Sequence, residues 1–241
     1  MRSKVIKYLL KFLKLMADTK QVKKLLKLPE SVNSHKEIQD RFDDIGKELL
    51  LNWCIEKNGV QKYYINDIEF YYYCKGHEDP FVYRHLHEGI GRFRIHNVGI
   101  DITLGSKWGD RERKDIYDEL NLCGNNPYLC EKVIKEQLIN IRNTIENNNQ
   151  IVKYGGILIR GIEEITNVEP KLKINSRTNP MIDELFYMGD SPSLLLNLKK
   201  LSKPRTNKWG KAERIRVSAK NPQYRNSVFT TYKYRYFIQP N

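Results

Sequence analysis

Residues 67–73 read Asp-Ile-Glu-Phe-Tyr-Tyr-Tyr, and their alternation constrains the fold more than any other stretch. On an extended strand successive side chains point to opposite faces. Ile68, Phe70 and Tyr72 then share one face, and Glu69, Tyr71 and Tyr73 share the other. The first set suits an apolar core. The second does not, because a carboxylate is not cheaply buried without a partner or a wet cavity. That second face therefore meets solvent or lines a site. The same division recurs in Phe93-Arg94-Ile95-His96, which puts Arg94 and His96 together, and in 100–104, which pairs Asp101 with Thr103. A fourth segment, from Tyr154, is apolar until Arg160. Solvated antiparallel sheets alternate too. Several strands that each add an ionisable residue favour a site.

The rest of the chain is read around these strands. Segments 60–73, 91–104 and 154–165, rich in β-branched and aromatic residues, are predicted strands. A helix opens after Ser34, with Glu37 at capping-box spacing; Ile38, Phe42, Ile45 and Leu49 form its buried stripe, and Trp53 lies one turn on. Asn58-Gly59 is a turn signal. Val5 to Met16 has helical spacing with lysines at 4, 7, 11 and 14, a basic amphipathic helix expected to dock on its own domain rather than a membrane. Val22, Leu25, Leu26 and Leu28 continue that pattern until Pro29. Residues 131–148 are predicted helical, 166–182 a loop, Leu194 to Leu201 a short helix and Val228 to Ile238 a final strand. The expected class is α+β, a single domain with a mixed or antiparallel curved sheet flanked by helices. Residues 1–55 would be an N-terminal helical extension, and 56–241 the main domain.

Charge is unevenly spread. The formal net charge is +13, yet residues 1–28 hold nine Lys/Arg against one acid and residues 203–241 hold ten against Glu213, which leaves the body between them at −4. Two cationic arms around a mildly acidic body suit a polyanion gripped while chemistry occurs elsewhere. Lys203, Arg205, Lys208, Lys211, Arg214 and Arg216 are the candidate phosphate contacts. A generic basic surface is the alternative. The cysteines at 54, 74, 123 and 130 form no CxxC pair, which fits free thiols in a reducing compartment and no structural zinc. No apolar run approaches the roughly 20 residues that span a bilayer. A cytoplasmic, nucleoid-associated monomer is expected.

The order of these segments resembles alkyladenine (3-methyladenine) DNA glycosylases. That family carries a Glu-x-Tyr strand, an acidic stretch with a His, a Gly-led aromatic strand, and an apolar strand ending Leu-Arg-Ala before an acid. Here stand Ile68-Glu69-Phe70-Tyr71, His77-Glu78-Asp79-Pro80 leading to His85, Gly91-Arg92-Phe93-Arg94-Ile95-His96, and Gly156-Ile157-Leu158-Ile159-Arg160-Gly161-Ile162-Glu163. Arg214-Ile215-Arg216-Val217 and Tyr234-Arg235-Tyr236-Phe237-Ile238 resemble the closing pattern. The resemblance covers 60–165 well and 190–241 loosely. It implies Glu69 as general base, Tyr71 and His85 against an extruded base, and Arg160 near the attacking water. His96 stands where a second stacking tyrosine is usual, and Asn97-Val98 where an aromatic wedge enters the duplex; two extra residues separate Asp79 from His85.

Glycosidic cleavage passes through an oxocarbenium-like state, so a carboxylate serves both to deprotonate water and to steady the sugar's charge. No lysine sits beside Glu69 on its strand face, which implies a water nucleophile and a monofunctional glycosylase that flips a modified base from DNA, double-stranded or locally unpaired. Tyr73 and Arg94 join the candidate substrate contacts. Asp101 could orient the sugar, or be the base itself. No cofactor or metal is expected. Two rivals stay open: a non-catalytic nucleic-acid binder on the same fold, and a metal-dependent hydrolase using His85, His87 and a carboxylate.

Overall fold

The computed structural model describes residues 20–82, 89–96, 99–105, 153–166, 172–175, 178–186, 195–215, 217 and 222–240. In chain order these give helix α1 (20–26), α2 (His35–Asn52), β1 (Trp53–Lys57), β2 (Gln61–Cys74), β3 (His77–Glu78), β4 (Phe93–His96) and β5 (Gly99–Thr103). Then follow β6 (Tyr154–Glu164), β7 (Lys173–Asn175), α3 (Thr178–Phe186), β8 (Leu196–Lys200), β9 (Trp209–Ala212) and β10 (Arg235–Ile238). The strands form one curled antiparallel sheet with the helices packed on it, the α+β class expected.

β2 is the spine. One edge pairs with β6 from Tyr63↔Glu164 to Tyr73↔Tyr154. The other edge pairs in turn with β1, β10 and β3, and the main order is β4-β5-β6-β2-β1-β8. Asn58 (φ 54°) and Gly59 (φ 74°) make the β1–β2 turn, closed by Val60 N–H donating to the Lys57 carbonyl at 3.1 Å. Two adjacent left-handed residues are the type I′ geometry that matches strand twist, and Asn-Gly adopts it readily.

Burial follows the alternation. Ile68, Phe70 and Tyr72 are fully buried against α2, whose Ile38, Phe42, Ile45 and Leu49 are also fully buried. Phe42 stacks on Phe70 with ring centroids 4.4 Å apart. Gly46 lets the helix approach β10, for a Cβ there would sit 2.8 Å from the Tyr236 ring. Cys54 and Cys74 are free and buried, and burial pushes their thiols up to about 11 and about 12. Cys123 and Cys130 lie outside the described residues.

Several expectations are corrected. Trp53 begins a strand instead of extending the helix, so a division at 55/56 cuts β1, and the buried face of α2 and β1 both contribute to the core. Ser34 caps α2 without a side-chain bond to the backbone; its hydroxyl donates to Glu37 Oε1 at 3.3 Å. The stretch 166–182 is not all loop, since it holds β7 and the start of α3. Met181 and Leu185 are buried one turn apart, and Pro180 falls in the first turn, where its missing N–H costs nothing. Leu196–Lys200 is a strand, not a helix: five residue pairs with β1 override its local preference. Between Val228 and Ile238 only Arg235–Ile238 is strand, and Val228–Thr230 is a 3-10 turn capped by Ser227. α1 buries Leu26 and Val22 on the domain. The predicted helices at 5–16 and 131–148 lie outside the described residues.

Candidate functional site

The second face of β2 is as polar as its alternation required, and it is closed. Glu69 has no exposed surface. Its Oε2 accepts from the Tyr71 hydroxyl at 2.8 Å and from Arg160 Nη2 at 2.7 Å, and its Oε1 accepts from Ile215 N–H at 2.7 Å. β2 supplies Glu69 and Tyr71 two residues apart, β6 supplies Arg160, and the segment after β9 supplies the amide. These donors answer the cost of burying a carboxylate. Burial works against the Arg160 charge, but its hydrogen bond and charge contact with Glu69 more than offset that and hold its pKa above the ordinary value. The Tyr71 hydroxyl is pushed up by burial and by the neighbouring Glu69 charge.

Strand register extends this cluster into a row. Arg94 pairs with Asp101, Asp101 with Leu158, Leu158 with Glu69, and Glu69 with Arg235. Asp101 therefore lies two strands from Glu69, about 10 Å at sheet spacing. It is buried, and Gly156 makes room for it: a Cβ there would stand 2.9 Å from Asp101 Oδ2. A bulge at Asp67 interrupts the β2–β6 register beside Glu69. Bulges re-aim side chains, and Asp67 here takes a fork from Arg235, with Nε at 3.0 Å and Nη2 at 2.6 Å. Burial raises the Asp67 carboxyl above its usual range, although Arg235 pulls the other way.

A second buried pair flanks the first. Arg214 Nη1 donates to Asp79 Oδ2 at 2.6 Å, and Nη2 donates to the Phe229 carbonyl at 2.9 Å. Its guanidinium lies 4.7 Å from the Tyr71 ring centre and 5.3 Å from those of Phe81 and Tyr234. Arg214 thus fixes the segment whose next residue, Ile215, binds Glu69.

Of the expected residues, the structure brings together Glu69, Tyr71 and Arg160, with Asp101 and Arg94 in the same row. Tyr73 stacks on Tyr154 with centroids 4.9 Å apart. His85 and Arg216 lie outside the described residues, and for His96 only the β4 backbone is described. The C-terminal cations do not form a free arm. Arg214 is buried, and Lys211 Nζ pairs with Asp43 at 2.7 Å. Arg205 turns inward to the Leu50 and Ile65 carbonyls, both at 3.2 Å. Lys203 and Lys208 remain exposed. The Ile215 amide, the Asp67–Arg235 pair and the Asp79–Arg214 pair were not anticipated. A backbone amide leaves no mark in a sequence, but Asp67 and Arg235 both sit in segments already singled out.

Among the described residues no three His, Cys, Asp or Glu side chains converge as a metal site would require, and His87 lies outside them. No helix among those residues is long and apolar enough to cross a membrane. No family model matches the chain, and no curated protein or solved structure matches it either.

Proposed function

We propose that this chain binds nucleic acid and hydrolyses the N-glycosidic bond of a modified base, with Glu69 as general base. One observation carries the reading. An ionised carboxylate offers about four acceptor positions, and the three donors on Glu69 leave one, on Oε1. Arg160 Nε, on the guanidinium that grips Glu69, is a buried donor with no protein partner among the described residues. A water molecule suits such a pair, since it donates to the carboxylate and accepts from the guanidinium. Held so, it would lose its proton to Glu69 as its oxygen adds to the sugar carbon that the departing base leaves. The order of segments that resembles alkyladenine glycosylases supports the same assignment. Tyr71 orients the carboxylate through its hydroxyl, and Arg214 covers one face of its ring.

The complete burial of Glu69 favours a second reading, a nucleic-acid binder that keeps the network for stability alone. Alkylated duplex DNA treated with the protein and then with alkali separates the two. Wild type should give strand breaks at abasic sites, and Glu69→Gln should lower their rate by about 10²–10⁴ while binding persists. Wild-type protein that binds every modified duplex and breaks none leaves only the second reading.

A further inference from the structure

A cleft of about 660 Å³ adjoins the Glu69 network on the same face of the sheet, and Asp67 and Arg235 belong to both. Its charges are unbalanced. Arg235 holds Asp67, and Lys173 Nζ stands 3.9 Å from Glu163. Lys203 and Arg205 also line it, and among the described residues neither has a carboxylate within ion-pair distance. Arg205 Nη1 donates only to neutral oxygens: two carbonyls, and Asn66 Oδ1 at 2.9 Å. Burial lowers its pKa, against the more distant charge of Glu163, and a half-buried cation with no carboxylate in direct contact gains from an anion that arrives. The walls are flat as well as cationic. The Arg205 guanidinium lies 4.3 Å over the Tyr64 ring, and Arg235 lies 5.2 Å over Phe237. The volume falls within the range of small-molecule sites, roughly 300–1,000 Å³, and exceeds what a bare anion fills.

We propose that this cleft holds a nucleotide unit, its phosphate between Lys203 and Arg205 and its base against the aromatic wall of Tyr64 and Phe237. Guanidinium planes and aromatic rings both stack on bases, and uncompensated cations take phosphate. The inference rests on the reading that this face meets nucleic acid, and it gives that face a second contact. Asp67 is two residues from Glu69 along β2, about 7 Å, so the unit in the cleft would be a near neighbour of the one that reaches Glu69. A free mononucleotide offers the same chemistry as a strand, and the test separates them.

Full-length protein is titrated with fluorescein-labelled oligothymidylate, and separately with dTMP, at several salt concentrations. Lys203 is exposed, so Lys203→Glu leaves packing intact; Lys47→Glu, on the outer side of α2, makes the same charge change elsewhere. Lys203→Glu should raise Kd for the oligonucleotide at least fivefold and reduce the salt slope by about 0.7, one phosphate contact on a single strand. Lys47→Glu should change Kd less than twofold. If dTMP alone binds and Lys203→Glu abolishes it, the cleft serves free nucleotides. If neither ligand binds, or the two variants behave alike, the cleft assignment falls. Unmodified thymidylate requires no turnover, so this outcome is independent of whether Glu69 produces abasic sites.

Discussion

Glu69 and Arg214 show how charge is kept inside this protein. Each guanidinium–carboxylate pair is buried on the same side of β2, and the Tyr71 ring stands between them, bonded to Glu69 through its hydroxyl and covered by Arg214 on one face. Removing one member of a buried pair is worse than removing both, because the survivor keeps its desolvation cost without its partner. Arg214→Met should therefore lower stability by about 3–5 kcal/mol, read as a fall in the urea midpoint. Arg214→Met with Asp79→Leu should recover most of that loss. A single variant that costs less than about 1 kcal/mol would mean that water reaches Asp79.

Helix α2 meets β10 at one glycine, and two effects compete there. Alanine in place of Gly46 would gain about 1 kcal/mol of helix propensity. Its Cβ would also stand 2.8 Å from two atoms of the Tyr236 ring, which is fully buried and held by its hydroxyl to Asp43 at 2.7 Å. Overpacking of that kind costs about 1–3 kcal/mol. The ring cannot move aside without breaking its hydrogen bond, so the clash wins. Gly46→Ala should lower Tm, and adding Tyr236→Leu should restore part of the difference; a raised Tm in the single variant would contradict the packing described. The same elements show what could be read in advance. Period two in 67–73 placed Ile68, Phe70 and Tyr72 in the core and Glu69 on the opposite face, because the pleat leaves no other choice. The stripe Ile38, Phe42, Ile45, Leu49 was equally plain. Leu196–Lys200 was misread because five residues carry too little period to distinguish helix from strand, and β1 decided the matter. The full burial of Glu69 was hidden for a different reason: the covering amide comes from Ile215, 146 residues away.

Across the whole molecule, the positive charge that looked like two loose arms is partly folded in at the C-terminal end, where Arg205, Arg214 and Arg235 all bond inside the domain. Acid sensitivity is likewise a property of the assembled core. His77 Nδ1 lies 2.9 Å from the Tyr72 carbonyl, which can only accept, so that nitrogen carries the proton. Its Nε2 then accepts from the Tyr234 hydroxyl at 2.7 Å, whose oxygen accepts from His35 Nδ1 at 2.9 Å. A second proton on His77 has no acceptor unless this chain reverses. Burial lowers the pKa of His77, against the opposing charge of Asp79, and burial also lowers that of His35. A histidine depressed in the folded state contributes nothing above its unfolded value of 6.5, where both states are neutral. Below it the unfolded chain takes up a proton that the folded chain refuses, so stability falls as pH drops, by up to about 1.4 kcal/mol per pH unit for the buried His77 and by less for the more exposed His35. Asp67, whose carboxyl is raised, works in the opposite direction nearer its own range, so the histidine slope is best read between pH 6.5 and 5. Urea midpoints should be level from pH 8 to 7 and decline from 6.5 to 5, and the decline should shrink in His77→Gln. A wild-type midpoint that stayed level to pH 5 would show that His77 protonates in place, with the Tyr234 hydroxyl turned towards His35.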